Sequence, residues 1–185
     1  MNKRIFFAAT IVSILTGCST TKTTDVQTSA SEVQTEIPKP VEPQIEVKAN
    51  PEFISIHEAI AALDNPETLD ALAKKYGYKT ISNYAVYRID LYQKMLYKNC
   101  TPAKAIGKGI YEDTPKPLRK GTSSYIAVKE DITIGVFNEN AYRNLTDQLL
   151  GAGFTLVSDG NEKEYSNGTF TAYCYASRKT VRLTK

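Results

Sequence analysis

The sequence predicts an α+β fold in which a helix-loop-helix and a further helix pack on an antiparallel sheet. Two capped, amphipathic segments follow one another between Ser55 and Gly77, and a third ends at Gly151 or Gly153. Between and after them, tyrosines and β-branched residues form short runs bounded by Gly, Pro and Asn, which is typical of strands and turns.

Each predicted helix has a recognisable beginning or end. Ser55-Ile-His-Glu58 is a capping box, which predicts a short helix through Leu63. Asn65 is the predicted N-cap of the second helix, with Pro66 at its first position and Gly77 as its stop. Its apolar face has helical spacing: Leu69, Leu72, Ala73 and Tyr76. The third helix has a similar face: Tyr142, Leu145 and Leu149.

The strands are predicted around a long loop. About two strands are expected between Gly77 and Cys100, and two more over 125–128 and 132–137. Three prolines and three glycines in 101–121 predict a loop with little regular structure. Strands resume after the third helix, and Asn167-Gly168 predicts a hairpin with a type I′ turn.

The chain begins with the three parts of a secretory signal. Lys3 and Arg4 precede an apolar run, 5–15, and the small residue Gly17 follows it. A membrane-spanning helix would need roughly 20 apolar residues. The run is shorter and already contains Ser13. Export is therefore the better interpretation.

Leu15-Thr16-Gly17-Cys18 resembles the lipobox of bacterial lipoproteins. The resemblance implies a signal peptide over 1–17 and makes Cys18 both the lipid attachment site and the first mature residue. Two or more acyl chains hold a protein stably on a membrane, whereas one does so only marginally. Ser19, rather than Asp, implies sorting to the outer membrane, with its periplasmic or surface face left open.

Composition then divides the mature chain into a tether and one domain. Residues 18–50 hold no aromatic residue but many Ser, Thr and Pro, which predicts a disordered tether. Residues 51–185 are enough for a single α+β domain. Without Lys3 and Arg4, 21 Lys and Arg face 20 Asp and Glu. Such a near-neutral chain argues against nucleic acid as a partner.

The domain contains a candidate internal repeat. Displaced by 76 residues, Tyr76–Ser82 lies over Ala152–Ser158, which indicates units over 55–100 and 122–185. The alternative is that helix, glycine, aromatic residue and strand simply form a common helix ending. Tandem helix-plus-sheet units resemble secreted inhibitors of the β-lactamase-inhibitor type and the small lipoproteins of outer-membrane assembly. That resemblance concerns architecture only.

The residues that usually perform catalysis are sparse. His57 is the only histidine and lies in the first turn of a capped helix. One His and two free thiols complete no zinc site of the usual spacing, so neither a metal nor a cofactor is predicted. A thiol peptidase of the cell wall would need an Asp-Cys-Ser/Thr-Gly context, and the surroundings of Cys100 and Cys174 depart from it. The sequence therefore predicts no catalytic residue.

Two weaker features remain. Six cations in and just before the long loop could meet an envelope protein or an anionic envelope polymer, although a merely solvated loop is the common alternative. They are Lys98, Lys104, Lys108, Lys116, Arg119 and Lys120. Cys100 and Cys174 could form a disulfide, since exported thiols often pair; two buried, unlinked cysteines are the alternative.

Taken together, these features predict a lipid-anchored binding or assembly module of the cell envelope without catalytic activity. An envelope hydrolase with an unrecognised site is the alternative.

Overall fold

The computed structural model of the chain describes residues 47–185. It has three helices and a large, mostly antiparallel sheet, so the predicted α+β class is confirmed. The signal peptide, the lipobox with Cys18 and most of the tether lie outside the described residues. Within residues 47–185, no helix is both long and apolar enough to cross a bilayer.

The first two helices form the predicted helix-loop-helix. Helix α1 is Ile56–Asp64, and its capping box is present: the Ser55 side chain accepts a bond from the Glu58 N–H, and Glu58 Oε2 accepts one from the Ser55 N–H at 2.9 Å. Helix α2 is Thr68–Tyr76. It begins two residues later than predicted, because Thr68 N–H and Leu69 N–H donate to Asn65 O and Pro66 O, three residues back, in a turn tighter than an α-helix.

Helix α2 ends where the sequence predicts. Gly77 has φ +73°, the left-handed conformation that glycine adopts without a steric penalty. Helix α3 is Glu139–Gly151, and the Asn138 side chain caps it by accepting a bond from Ala141 N–H. The predicted apolar face of α3 is buried: Tyr142, Leu145 and Leu149.

Ten strands form one sheet, and two form a small separate ladder. The strands are β1 Lys79–Val86, β2 Asp90–Lys98, β3 Cys100–Thr101, β4 Ala105–Gly107, β5 Ile110–Tyr111, β6 Lys116–Pro117, β7 Ser124–Val128, β8 Ile132–Val136, β9 Thr155–Ser158, β10 Lys163–Ser166, β11 Thr171–Tyr175 and β12 Thr180–Thr184. Their order in the large sheet is β4-β5-β1-β2-β7-β8-β12-β11-β10-β9, and β3 pairs with β6.

The predicted loop, 101–121, contains short strands. We name residues 99–123, which connect β2 to β7, the crossover segment. Its strands β4 and β5 extend the large sheet, and β5 pairs with β1 in parallel. Two- and three-residue pairings carry no sequence periodicity, which is why the composition of this region indicated only a loop.

The hairpin at Asn167 forms, but not with the predicted turn. Four residues, 167–170, connect β10 to β11. A type I′ turn requires positive φ at both central residues. Gly168 has φ +87°, whereas Asn167 is not among the residues with positive φ. Instead, the Asn167 side chain accepts bonds from Thr169 N–H and Phe170 N–H at 3.1 and 2.8 Å.

The large sheet contains two similar groups of four strands, each of which follows a helix, and we call them the first run and the second run. Helix α2 is followed by β1, β2, β7 and β8, and α3 is followed by β9 to β12; the last strands of the two runs, β8 and β12, pair antiparallel at the centre. Leu69 and Leu145, and Tyr78 and Phe154, are buried pairs with the 76-residue displacement. These runs do not coincide with units 55–100 and 122–185, and a repeat origin stays a prediction.

The sheet separates two apolar cores. The helices pack on one face, which we call the inner face, over buried residues such as Leu96, Ile134 and Val181. The opposite, outer face has a smaller core around Tyr84, Met95 and Tyr125.

The crossover segment covers this second core. Tyr84 stacks on Tyr111 with ring centroids 3.9 Å apart, and its hydroxyl donates to Asp113 O at 2.8 Å. The outer face is therefore covered over the first run.

Candidate functional site

A pocket of about 240 Å³ opens on the outer face of the sheet. Ala127 and Thr133, cross-strand partners on β7 and β8, lie among its lining residues. The remaining lining comes from β2, the crossover segment, β7 and the β11–β12 hairpin: Tyr92, Thr114, Tyr125, Tyr175, Arg178 and Thr180. We name this cavity the tyrosine pocket. It lies between the part of the outer face that the crossover segment covers and the part over the β11–β12 hairpin that this segment does not cover.

Tyr125 owes its position to a glycine on the neighbouring strand. Tyr125 and Gly135 are cross-strand partners, and a Cβ added to Gly135 would lie 2.1 Å from Tyr125 Cε1. The ring therefore lies directly on the bare backbone of β8. Burial raises the pKa of the Tyr125 phenol to about 12, so the hydroxyl stays protonated at neutral pH and can donate a hydrogen bond to a bound molecule.

The pocket continues into an uncovered surface over the second run. Successive side chains of a strand point to opposite faces, and Cys174 and Val181 belong to the inner core. The residues that precede and follow them along the same strands therefore point to the outer face. These are Tyr173, Tyr175, Thr180 and Arg182, and we name the surface that they form the open face.

Ion pairs and an aromatic contact hold Arg182 in place on the open face. The Arg182 guanidinium lies over the Tyr173 ring at 4.2 Å and pairs with Asp131 and Glu162 at 3.8 and 3.6 Å. Arg178, in the β11–β12 turn, is exposed, and no ion pair within 47–185 includes it. It therefore places an uncompensated positive charge at the rim of the pocket.

The six predicted cations do not form one patch. Lys98 pairs with Glu52 at 2.9 Å, and Lys116 pairs with Glu112. The other four are exposed and lie in two places: Lys104 and Lys108 flank β4, and Arg119 and Lys120 lie between β6 and β7. Their role as an anionic-partner loop stays a prediction.

The predicted disulfide is not formed in this structure, where both thiols are free and buried. Cys100 Sγ donates to Ser124 O, at the start of β7, whereas Cys174 lies on β11. Three strand spacings separate β7 from β11, or about 14 Å. A disulfide requires Cα atoms within about 7 Å. The sheet itself therefore keeps the two cysteines apart.

Neither thiol is prepared for nucleophilic attack. Burial raises the pKa of Cys100 to about 11 and that of Cys174 to about 12, so both stay protonated at neutral pH. A catalytic cysteine needs the opposite shift. His57 is exposed on α1. Within residues 47–185, no group of three or more His, Cys, Asp or Glu side chains is placed to hold a metal ion.

Sequence reasoning did not identify the tyrosine pocket. Its tyrosines come from β2, β7 and β11, which are distant in sequence and meet only through the strand order. The alternation of Tyr173 and Tyr175 with buried Ala172 and Cys174 was the one available signal. It assigns both tyrosines to one face but does not reveal that this face is uncovered.

Comparison with known proteins adds no relative: no protein-family model, curated protein or solved structure matches the chain. Any functional conclusion therefore depends on the geometry of the chain itself.

Proposed function

We propose that this chain is a non-catalytic binding or assembly module of the bacterial cell envelope, anchored by lipid at Cys18. It binds its partner through the tyrosine pocket and the open face. One observation carries this proposal: the crossover segment covers the outer face over the first run only, and the second run leaves Tyr, Thr and Arg side chains uncovered. Tyrosine and arginine are enriched in the energetically dominant parts of protein interfaces.

The chemistry of the pocket supports binding rather than hydrolysis. Its lining residues carry phenol, hydroxyl, methyl and guanidinium groups, and none carries a carboxylate, an imidazole or a thiol. A hydrolase needs a general acid or base, or an activated nucleophile, that converges on the substrate. Tyrosines instead supply apolar contact area and a hydroxyl at a small entropic cost.

The partner that best fits this site is an envelope protein or an anionic envelope polymer. Arg178 supplies the unpaired positive charge at the rim, and the pocket hydroxyls can bond to polar groups of the partner. The lipobox implies an outer-membrane anchor, and residues 19–46 separate Cys18 from the described domain. Such a tether lets the open face approach partners at a distance from the lipid.

The proposal is tested by site-specific photocrosslinking in native envelopes. A photoreactive residue at Thr180, within the pocket, should give a discrete crosslinked product. The same residue at Lys74, exposed on the opposite side of the sheet on α2, should not. Arg178→Glu should abolish the Thr180 product, whereas Arg143→Glu, an equal charge change on exposed α3 surface, should leave it intact.

Two outcomes would refute the proposal. Equal crosslinking from Thr180 and Lys74 would show that the open face is not the binding surface. Release of soluble fragments from purified cell-wall polymer by the purified chain would show an enzyme.

A further inference from the structure

The turn between β1 and β2 forms an exposed apolar tip. Residues 87–89 connect Val86 to Asp90. Exposed apolar side chains gather in this turn, at the start of β2 and on the adjacent strand β5: Tyr87 49%, Ile89 63%, Leu91 57% and Ile110 37% exposed. We name these four residues the hairpin tip. Aliphatic residues in such a cluster, rather than singly, mark an interaction surface.

The register aligns part of the hairpin tip on one face. Leu91 and Ile110 are both Cα partners of Ala85, and cross-strand partners point to the same side of a sheet. That side is the inner face, because the neighbouring Tyr84 and Val86 are buried on the outer face beneath the crossover segment.

The helices stop short of this part of the inner face. Asp70 of α2 pairs with Lys94 of β2 at 2.9 Å, whereas Leu91 and Ile110 on the same face are exposed. Lys94 lies four residues from Asp90, at the start of β2, or about 13 Å along the strand. The hairpin tip therefore protrudes beyond the helical layer.

Cations surround the hairpin tip. The Arg88 guanidinium lies 4.9 Å from the Tyr87 ring centroid, and exposed Lys104 and Lys108 flank β4 beside it. No ion pair within 47–185 includes these three cations. Asp90 pairs with Lys129, and Glu112 pairs with Lys116.

We infer that the hairpin tip is a second membrane contact, which inserts its apolar side chains into the headgroup region of an anionic phospholipid bilayer. Tyrosine and arginine suit that depth because each combines an apolar body with a polar end. The unpaired cations complement lipid phosphates.

This inference rests on the proposed lipid anchor, and the geometry allows both contacts at once. Glu52, near the beginning of the described domain, pairs with Lys98 at the far end of β2. The nine-residue strand β2 spans about 30 Å. The 28 residues 19–46 between Cys18 and the described domain can span at most about 90 Å, which exceeds this distance.

The absence of tryptophan from the chain permits a direct test. Tyr87→Trp and, as a matched control, Leu156→Trp each place one tryptophan at an equally exposed site, 49% in both cases. Position 156 lies on β9, at the opposite edge of the sheet. The lipidated full-length variants are reconstituted into vesicles of phosphatidylethanolamine and phosphatidylglycerol that contain a brominated lipid, which quenches tryptophan on contact.

We expect the indole of the Tyr87→Trp variant to be quenched several-fold more strongly than that of the Leu156→Trp variant and its emission to shift to shorter wavelength. Replacing phosphatidylglycerol by a zwitterionic lipid, or combining Arg88→Ala with Lys108→Ala, should reduce the quenching. Equal quenching in both variants, or none in Tyr87→Trp, overturns the inference and leaves a protein partner as the occupant. Vesicle flotation reports the anchor separately, so flotation without quenching refutes the hairpin tip alone.

Discussion

Gly135→Ala should destabilise the domain through the side chain of Tyr125. Gly135 does not have positive φ, so its backbone conformation accepts alanine. The new methyl group would, however, lie 2.1, 2.2 and 2.8 Å from three atoms of the Tyr125 ring. Such distances are shorter than any real contact, and the ring must move out of a buried position.

The expected cost combines two effects of opposite sign. Overpacking a well-packed core costs about 1–3 kcal/mol. Replacing glycine by alanine restores about 0.4–1 kcal/mol, because the unfolded chain loses conformational freedom. The free energy of unfolding should therefore fall by about 1–2 kcal/mol. For a domain of this size, the melting temperature should fall by about 2–4 °C per kcal/mol.

Urea unfolding of four variants, Gly135→Ala, Gly121→Ala, Tyr125→Val and the Tyr125→Val/Gly135→Ala double variant, separates steric conflict from other causes. Gly121→Ala is the matched control, because Gly121 also lacks positive φ and a Cβ there would meet nothing within 4 Å. In a Tyr125→Val background, Gly135→Ala should become neutral or slightly stabilising. If Gly135→Ala costs the same in both backgrounds, or nothing in the wild type, the contact between ring and backbone is not what positions Tyr125.

Three further predictions concern the lipid anchor, the thiols and alkaline pH. Cys18→Ser should abolish acylation and leave an unprocessed precursor; equal lipid labelling of mutant and wild type would contradict the lipobox interpretation. Cys100 and Cys174 should both be alkylated without reductant once the exported protein is denatured, whereas mass loss corresponding to a disulfide would contradict the strand separation described above. Burial raises the pKa of Tyr84 and Tyr125 from 10.0 to about 12, so the unfolded chain loses these protons first. The urea midpoint should therefore hold below pH 10 and fall between pH 10 and 12, and a midpoint unchanged at pH 11 would be inconsistent with burial of these phenols.

Local signals predicted the helices well. The capping box at Ser55, the stop at Gly77 and the buried face of α3 depend on neighbours within one or two turns, and the structure confirms all three. The start of α2 was predicted two residues early. The Asn65 side chain does accept a capping bond from Glu67 N–H, but Thr68 N–H and Leu69 N–H donate three residues back, to Asn65 O and Pro66 O, so this first turn is tighter than an α-helix.

Features that depend on distant contacts were not predictable in the same way. Thr101 to Gly121 was expected to have little regular structure, and its short strands form because β1 and β3 supply partners. The position of Tyr125 depends on a bare glycine ten residues later. The separation of Cys100 and Cys174 depends on the order of four strands, which neither local composition nor spacing records.

The two runs differ most in one connection. Between its second and third strands, the first run has the crossover segment, 99–123, whereas the second run has only the four residues 167–170. The crossover segment covers the outer face of the first run, where the side chains are apolar and buried, as at Val86 and Met95.

Over the second run, where the short connection leaves the outer face uncovered, the corresponding side chains are amphipathic. Tyr173 and Tyr175 are half-buried, and Arg182 is shared between an aromatic ring and two carboxylates. Exposed aliphatic side chains in these positions would promote aggregation. Tyrosine, threonine and arginine instead remain compatible with water and still provide contact area when a partner excludes it. The composition of the open face therefore supports the proposed role in binding.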